Sequence, residues 1–154
     1  MLVCLSTHTY THAQTDEAFA TKFATNWCNC IDKYAGKLSP DLKQKAINAI
    51  KNPTTDSTMN VKPYFDYLEQ HPKEKKIENK VQDNFARCIT SAFKPELEKK
   101  SLKEAKTYVI KGLLSNNHFI SKQIAHNDMA NFYYALLFNK LLQEYNLSTT
   151  RTKK

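Results

Sequence analysis

The pattern Phe19-Phe23-Trp27-Cys30-Ile31-Tyr34 recurs, at a constant offset, as Ile77-Val81-Phe85-Cys88-Ile89-Ala92, with Lys22/Lys80 and Asn26/Asn84 also matching. At 100° per residue, either set falls within about one third of a helix circumference, with Cys30 and Cys88 inside that arc. The chain therefore reads as one helix written twice, each copy burying its stripe against the other or against a shared core. Only two glycines and five prolines occur in 154 residues. That scarcity excludes a fold built on tight β-turns, while the chain is long enough for one domain with a sizeable core. The expectation is an all-α, single-domain helical bundle of about five to seven helices containing a duplicated helical-hairpin-like repeat.

Local signals divide the chain. A first helix is expected from about Asp16 to Ala35, stopped at Gly36 by a left-handed cap. Ser39-Pro40 restarts the helix as cap and first helical residue, with Leu42, Ala46, Ile47 and Ile50 inward, until Asn52-Pro53. Thr54 to Asn60 reads as a loop. Pro63 to Gln70 gives a two-turn helix, and the second stripe occupies about Lys73 to Phe93. Ser101 and Glu104 have capping-box spacing, opening a helix Leu102 to Leu114 buried through Leu102, Ala105, Val109 and Leu113. Ser115-Asn116-Asn117 is expected to break it before a short helix around Phe119 to Ile124. Asn127 or Asp128 caps a last helix, to about Tyr145, that is apolar nearly all round and so suited to the centre of the bundle. The bundle domain is placed at 15–147, with 148–154 a disordered basic tail.

The first fourteen residues, MLVCLSTHTYTHAQ, have a short apolar start, no acidic residue and a His-Ala-Gln end. They read as a truncated signal peptide, although the basic region is missing and the apolar run is short. Export to the periplasm or cell envelope is the expectation, with a cytoplasmic location as the alternative. No later segment approaches the roughly 20 apolar residues of a membrane span. The net charge of +8 suits an anionic partner, and basic faces can touch a membrane surface. Interspersed glutamates make solvated helix faces the simpler account. Two arginines among 23 basic residues argue against nucleic acid, whose phosphates and bases favour the arginine fork.

In an exported protein, a Cys30–Cys88 disulfide would join equivalent points of the two stripes. Cys28 can instead pair with Cys88 or another chain, or the cysteines can be small buried hydrophobes. Cys28 and Cys30 lie about 200° apart on a helix and cannot share a metal. C-x-C also lacks common zinc spacing and no histidine lies near the cysteines, so no metal and no cofactor is expected. Asp32 beside Cys28 would raise its thiol pKa, which disfavours a cysteine nucleophile. No catalytic residues are assigned, and the chain is not expected to be an enzyme.

The Ala-Gln leader end, C-x-C-I at Cys28, Cys30 and Ile31, and C-I at Cys88 and Ile89 resemble small exported all-helical proteins of Bacteroidota, mostly without assigned activity. The resemblance spans about the first 90 residues and implies compartment and fold rather than activity. The leading expectation is a non-enzymatic exported protein that binds another protein, as an inhibitor or immunity-type partner of an envelope protein. Tyr64, Phe65 and Tyr67 would be its exposed anchors, with Lys73, Lys75 and Lys76 beside them. The alternatives are a carrier of an apolar or anionic small ligand, held between the stripes and the last helix around Phe132, Tyr133 and Leu136, and an intracellular adaptor.

Overall fold

The computed structural model describes residues 5–52 and 59–151, with side chains described for 17–52 and 59–144. Residues 1–4 of the expected leader, most of the Thr54 to Asn60 loop, and 152–154 of the expected tail lie outside the described residues. The described residues form seven helices and no strand: α1 (Leu5–Ala35), α2 (Pro40–Lys51), α3 (Lys62–Gln70), α4 (Pro72–Ala92), α5 (Lys94–Leu97), α6 (Leu102–Ile124) and α7 (Asp128–Arg151). The chain is an all-α bundle.

α1 is the helix around which the others pack: α4, α6 and α7 all lie against it, while α2 and α3 join the bundle through α7 and α4. Phe19 and Lys22 meet Phe93 and Glu96, just beyond the end of α4, whereas Trp27 meets Phe85 within it. Matched positions of the two stripes touch at the crossing. The Trp27 and Phe85 rings stand edge to face with centroids 4.3 Å apart, and Cys30 and Cys88 are joined by a disulfide. The indole Nε1 of Trp27 donates to the carbonyl of Ala130 at 2.9 Å, tying the same point to the first turn of α7.

The cap signals act as their chemistry predicts. Ser39 Oγ accepts from Leu42 N, Ser101 and Glu104 form a reciprocal capping box, and Asn127 Oδ1 accepts from Ala130 N at 3.0 Å. Five expectations need correction. α1 begins at Leu5 rather than near Asp16, since no Gly or Pro interrupts the sequence there. Gly36 takes no left-handed conformation, and the turn is closed by Lys37 N to Tyr34 O and Leu38 N to Ala35 O. Ser115-Asn116-Asn117 does not break α6, and the two asparagine side chains find partners without leaving the helix. Asn116 Nδ2 bonds back to Gly112 O at 2.9 Å, and Asn117 Oδ1 accepts from Tyr134 Oη at 3.0 Å. Leu102 stands 89% exposed at the first position of α6, with no helix against it. The last helix continues in backbone to Arg151, and among its described side chains the fully buried ones are in the first turns, at Ala130, Phe132, Tyr133 and Tyr134; Leu136, Leu137, Phe138 and Leu141 are half-buried.

Candidate ligand cavity

The upper halves of the two stripes do not close on each other. Phe19, Phe23 and Trp27 of α1 and Ile89 and Thr90 of α4 diverge around a cavity of about 220 Å³, completed by Phe93, Leu97 of α5, Val109 and Leu113 of α6, and Leu137 and Leu141 of α7. Thr90 is solvent-exposed, so the cavity reaches the surface there. Its hydroxyl is engaged by Ala86 O at 2.7 Å, leaving the wall apolar.

The aromatic walls hold one another in place. Phe19 stacks on Phe23 at 6.2 Å, meets Phe93 at 5.6 Å and takes the edge of Tyr108 at 5.7 Å. Phe23 stacks on Trp27 at 5.2 Å, and Tyr134 closes on both. Offset and edge-to-face pairs of this kind add stability beyond their buried area. Gly112 lies directly under Phe19, where any Cβ would overlap the ring, so the missing side chain lets Phe19 lie flat against α6. Behind Phe93, Lys22 Nζ pairs with Glu96 Oε1 and sits 5.0 Å from the Phe93 ring centroid. The Lys22 hydrogen bond holds the Glu96 carboxyl below the usual carboxylate range.

Phe132, Tyr133 and Leu136, the expected lining, are not part of this cavity. Phe132 and Tyr133 pack with Tyr64 and Phe85 in the solid core on the other side of α7. The stripes contribute as expected through Phe19, Phe23, Trp27 and Ile89, and α7 contributes one turn further along, through Leu137 and Leu141.

The expected surface anchors do not assemble. Tyr64 is fully buried, with its hydroxyl donating to Glu78 Oε1 at 2.9 Å, so it is a core residue and cannot meet a partner. Tyr67 is half-buried, stacked on His71 at 4.0 Å with Lys45 Nζ 5.1 Å from its ring centroid. Phe65 alone of the three is exposed. Lys73 and Lys76 are exposed, while Lys75 is half-buried and paired with Glu69 at 2.5 Å. The sequence reading also missed Glu78, a buried carboxylate that accepts from Tyr64, from Tyr133 at 3.2 Å and from Gln82. Ile77, expected in the stripe, is 41% exposed in its stead.

Cys28 is half-buried and carries a free thiol in a polar cleft it shares with Thr25, Asn29, Gln123 and His126. Burial and then the Asp32 charge push the thiol up, the wrong direction for a thiolate nucleophile. Among the described residues no group of three or more His, Cys, Asp or Glu could hold a metal ion, and no helix is long and apolar enough to cross a membrane. Comparison with protein-family models, with curated proteins and with solved structures finds no match to this chain.

Proposed function

We propose that this protein is a non-enzymatic exported binding protein whose cargo is a small apolar molecule held between the two stripes. The aromatic-walled cavity carries this reading. At about 220 Å³ it is somewhat larger than the apolar cavity of roughly 150 Å³ known to stay dry and take up benzene. It is smaller than the roughly 300–1,000 Å³ of sites for drug-sized ligands, which points to a single ring or a short alkyl chain. Walls made of interlocked rings favour binding, because little side-chain freedom is lost when the ligand enters. The Cys30–Cys88 bond supports an oxidising compartment, in line with the leader-like first residues and the resemblance to exported helical proteins. A protein-partner role through α3 loses Tyr64 as its central anchor.

Trp27 is the chain's single tryptophan and lines the cavity, so it reports occupancy directly. Titration with toluene should change Trp27 emission saturably and raise the melting temperature. Val109→Phe, which fills the space from α6, should keep the fold and remove both responses. Absence of a saturable response in the natural protein, or equal binding by Val109→Phe, would overturn the reading.

A further inference from the structure

We infer that the corner between α5 and α6 docks this protein on an anionic lipid surface, with Leu102 entering the interface and the lysines around it drawn to the headgroup phosphates. Leu102 is 89% exposed, the most exposed of the large hydrophobic side chains described. Lys99, Lys100, Lys103 and Lys106 flank it in sequence and are all exposed. At 100° per residue, Leu102, Lys103 and Lys106 fall within about 100° of the α6 circumference, so one side of the first turn carries the leucine and two ammonium groups together.

The acidic residues nearby do not cancel that charge. Glu104 lies about 160° round the helix from both Leu102 and Lys106. Its carboxylate is turned back on Ser101, accepting from the backbone N–H at 2.8 Å and from the hydroxyl at 2.7 Å. Glu96 is paired with Lys22. Among residues 94–106 that leaves Glu98 as the one exposed carboxylate without a partner, against five exposed lysines, Lys94 included. The Ser101 capping box also fixes the first turn, so Leu102 is held outward instead of folding onto the bundle.

These features favour a lipid surface over an acidic protein. A protein partner needs an anchor pocket or a broad apolar core to its interface. A single leucine projecting from a helix corner offers neither, whereas it can enter the headgroup boundary of a bilayer. Every basic group at the corner is a lysine, whose attraction to an anionic surface adds charge by charge and needs no bidentate geometry. Leu97 and Val109, on either side of this corner in sequence, line the apolar cavity. Docking therefore holds the cavity close to the phase in which small apolar molecules concentrate.

Cosedimentation of the full chain with vesicles tests the assignment, using phosphatidylcholine alone and an equal mixture of phosphatidylcholine and phosphatidylglycerol. The protein should bind the mixed vesicles, leave them as salt screens the charge, and ignore the neutral ones. Leu102→Ser, and Lys103→Ala combined with Lys106→Ala, should each weaken binding roughly tenfold. Lys73→Ala with Lys76→Ala removes the same charge from exposed lysines of α4 and should change binding by about twofold at most. In Leu102→Trp, emission should shift to the blue when mixed vesicles are added and not with neutral ones. All these positions are exposed, and melting curves verify that the variants fold. No binding to mixed vesicles, an equal loss in the α4 pair, or unchanged binding by Leu102→Ser overturns the assignment. So does equally tight binding to soluble polyglutamate, which points to an acidic protein in place of lipid. The cavity reading, tested with toluene, stands or falls separately.

Discussion

Replacing Cys30 and Cys88 together by alanine isolates what the disulfide contributes. The two cysteines are separated by 58 positions and enclose α2, α3 and most of α4 in a covalent loop. In the chain-entropy account, closing a loop of that length removes about 14 cal/mol/K from the unfolded ensemble, or about 4 kcal/mol at 25 °C. Unfolding entropy of about 2.1 cal/mol/K per residue converts this to a fall in melting temperature of about 12 °C for a chain of this size. Thermal melts followed by circular dichroism, with and without reductant, measure it. Reductant should bring the natural protein down towards the double variant and leave the variant itself unmoved. Alkylation of the unfolded, unreduced chain followed by peptide mapping should find neither Cys30 nor Cys88 labelled. Labelling of both, or one melting temperature for the natural protein in either condition, would refute the argument at its first step.

Three other perturbations probe separate parts of the molecule. Gly112→Ala gains about 1 kcal/mol of helix propensity but drives the Phe19 ring aside; with Phe23, Phe93 and Tyr108 already against that ring, the free direction is the cavity. Its melting temperature should change little while toluene binding is lost, and a variant that is stabilised and still binds would contradict this. Glu78→Ala strands the hydroxyls of Tyr64 and Tyr133 and should destabilise by about 2–5 kcal/mol in urea titrations, with Glu78→Gln milder because an amide oxygen still accepts; equal losses would show that acceptance is not what matters. Finally, the hydroxyls of Tyr64, Tyr133 and Tyr134 are all held above the ordinary tyrosine value of 10.0, chiefly by burial. A raised folded-state pKa gives stability that is full below the unfolded value and is lost as pH rises beyond it. Stability should therefore decline above about pH 10, with these three of the eight tyrosines ionising only as helix content falls; phenolate absorbance that completes its rise before the circular dichroism moves would refute it.

The stripe was legible because one geometric rule sufficed: residues three and four apart share a helix face, and the matched cysteines marked where two such faces meet. Glu78 was legible in principle and was overlooked. Measured from the mean direction of Val81, Phe85, Cys88 and Ile89 at 100° per residue, Glu78 lies about 35° away and Ile77 about 65°. Arc position therefore favoured the carboxylate for burial, while residue type favoured the isoleucine. Two tyrosine hydroxyls from α3 and α7 decide it, and neither is adjacent in sequence. The same arithmetic pairs Tyr64 with Leu68 on one face of α3, both of which are buried, and leaves Phe65 facing outward. Ser115-Asn116-Asn117 misled for the opposite reason: its local preference against helix is weak, and packing of α6 on α1 outweighs it. The cavity had one trace in the sequence, Gly112 in the interior of a predicted helix. A glycine there is unfavourable unless something approaches closely, and what approaches is Phe19.

A void of this size needs a physical reason to remain open. Apolar walls that stand apart around about 220 Å³ forgo the packing that collapse would give. Collapse would recover it, but every ring able to swing inward is held elsewhere. Trp27 is fixed by Ala130 O and the edge of Phe85, Phe23 by Trp27 and Tyr134, and Phe19 by Tyr108 and Phe93. The disulfide lies one turn from Trp27 and fixes the α1–α4 crossing from which both walls diverge. The double alanine variant should accordingly fold with a softened crossing and bind toluene less tightly than the natural protein, linking the staple to the cavity through the geometry of a single helix pair.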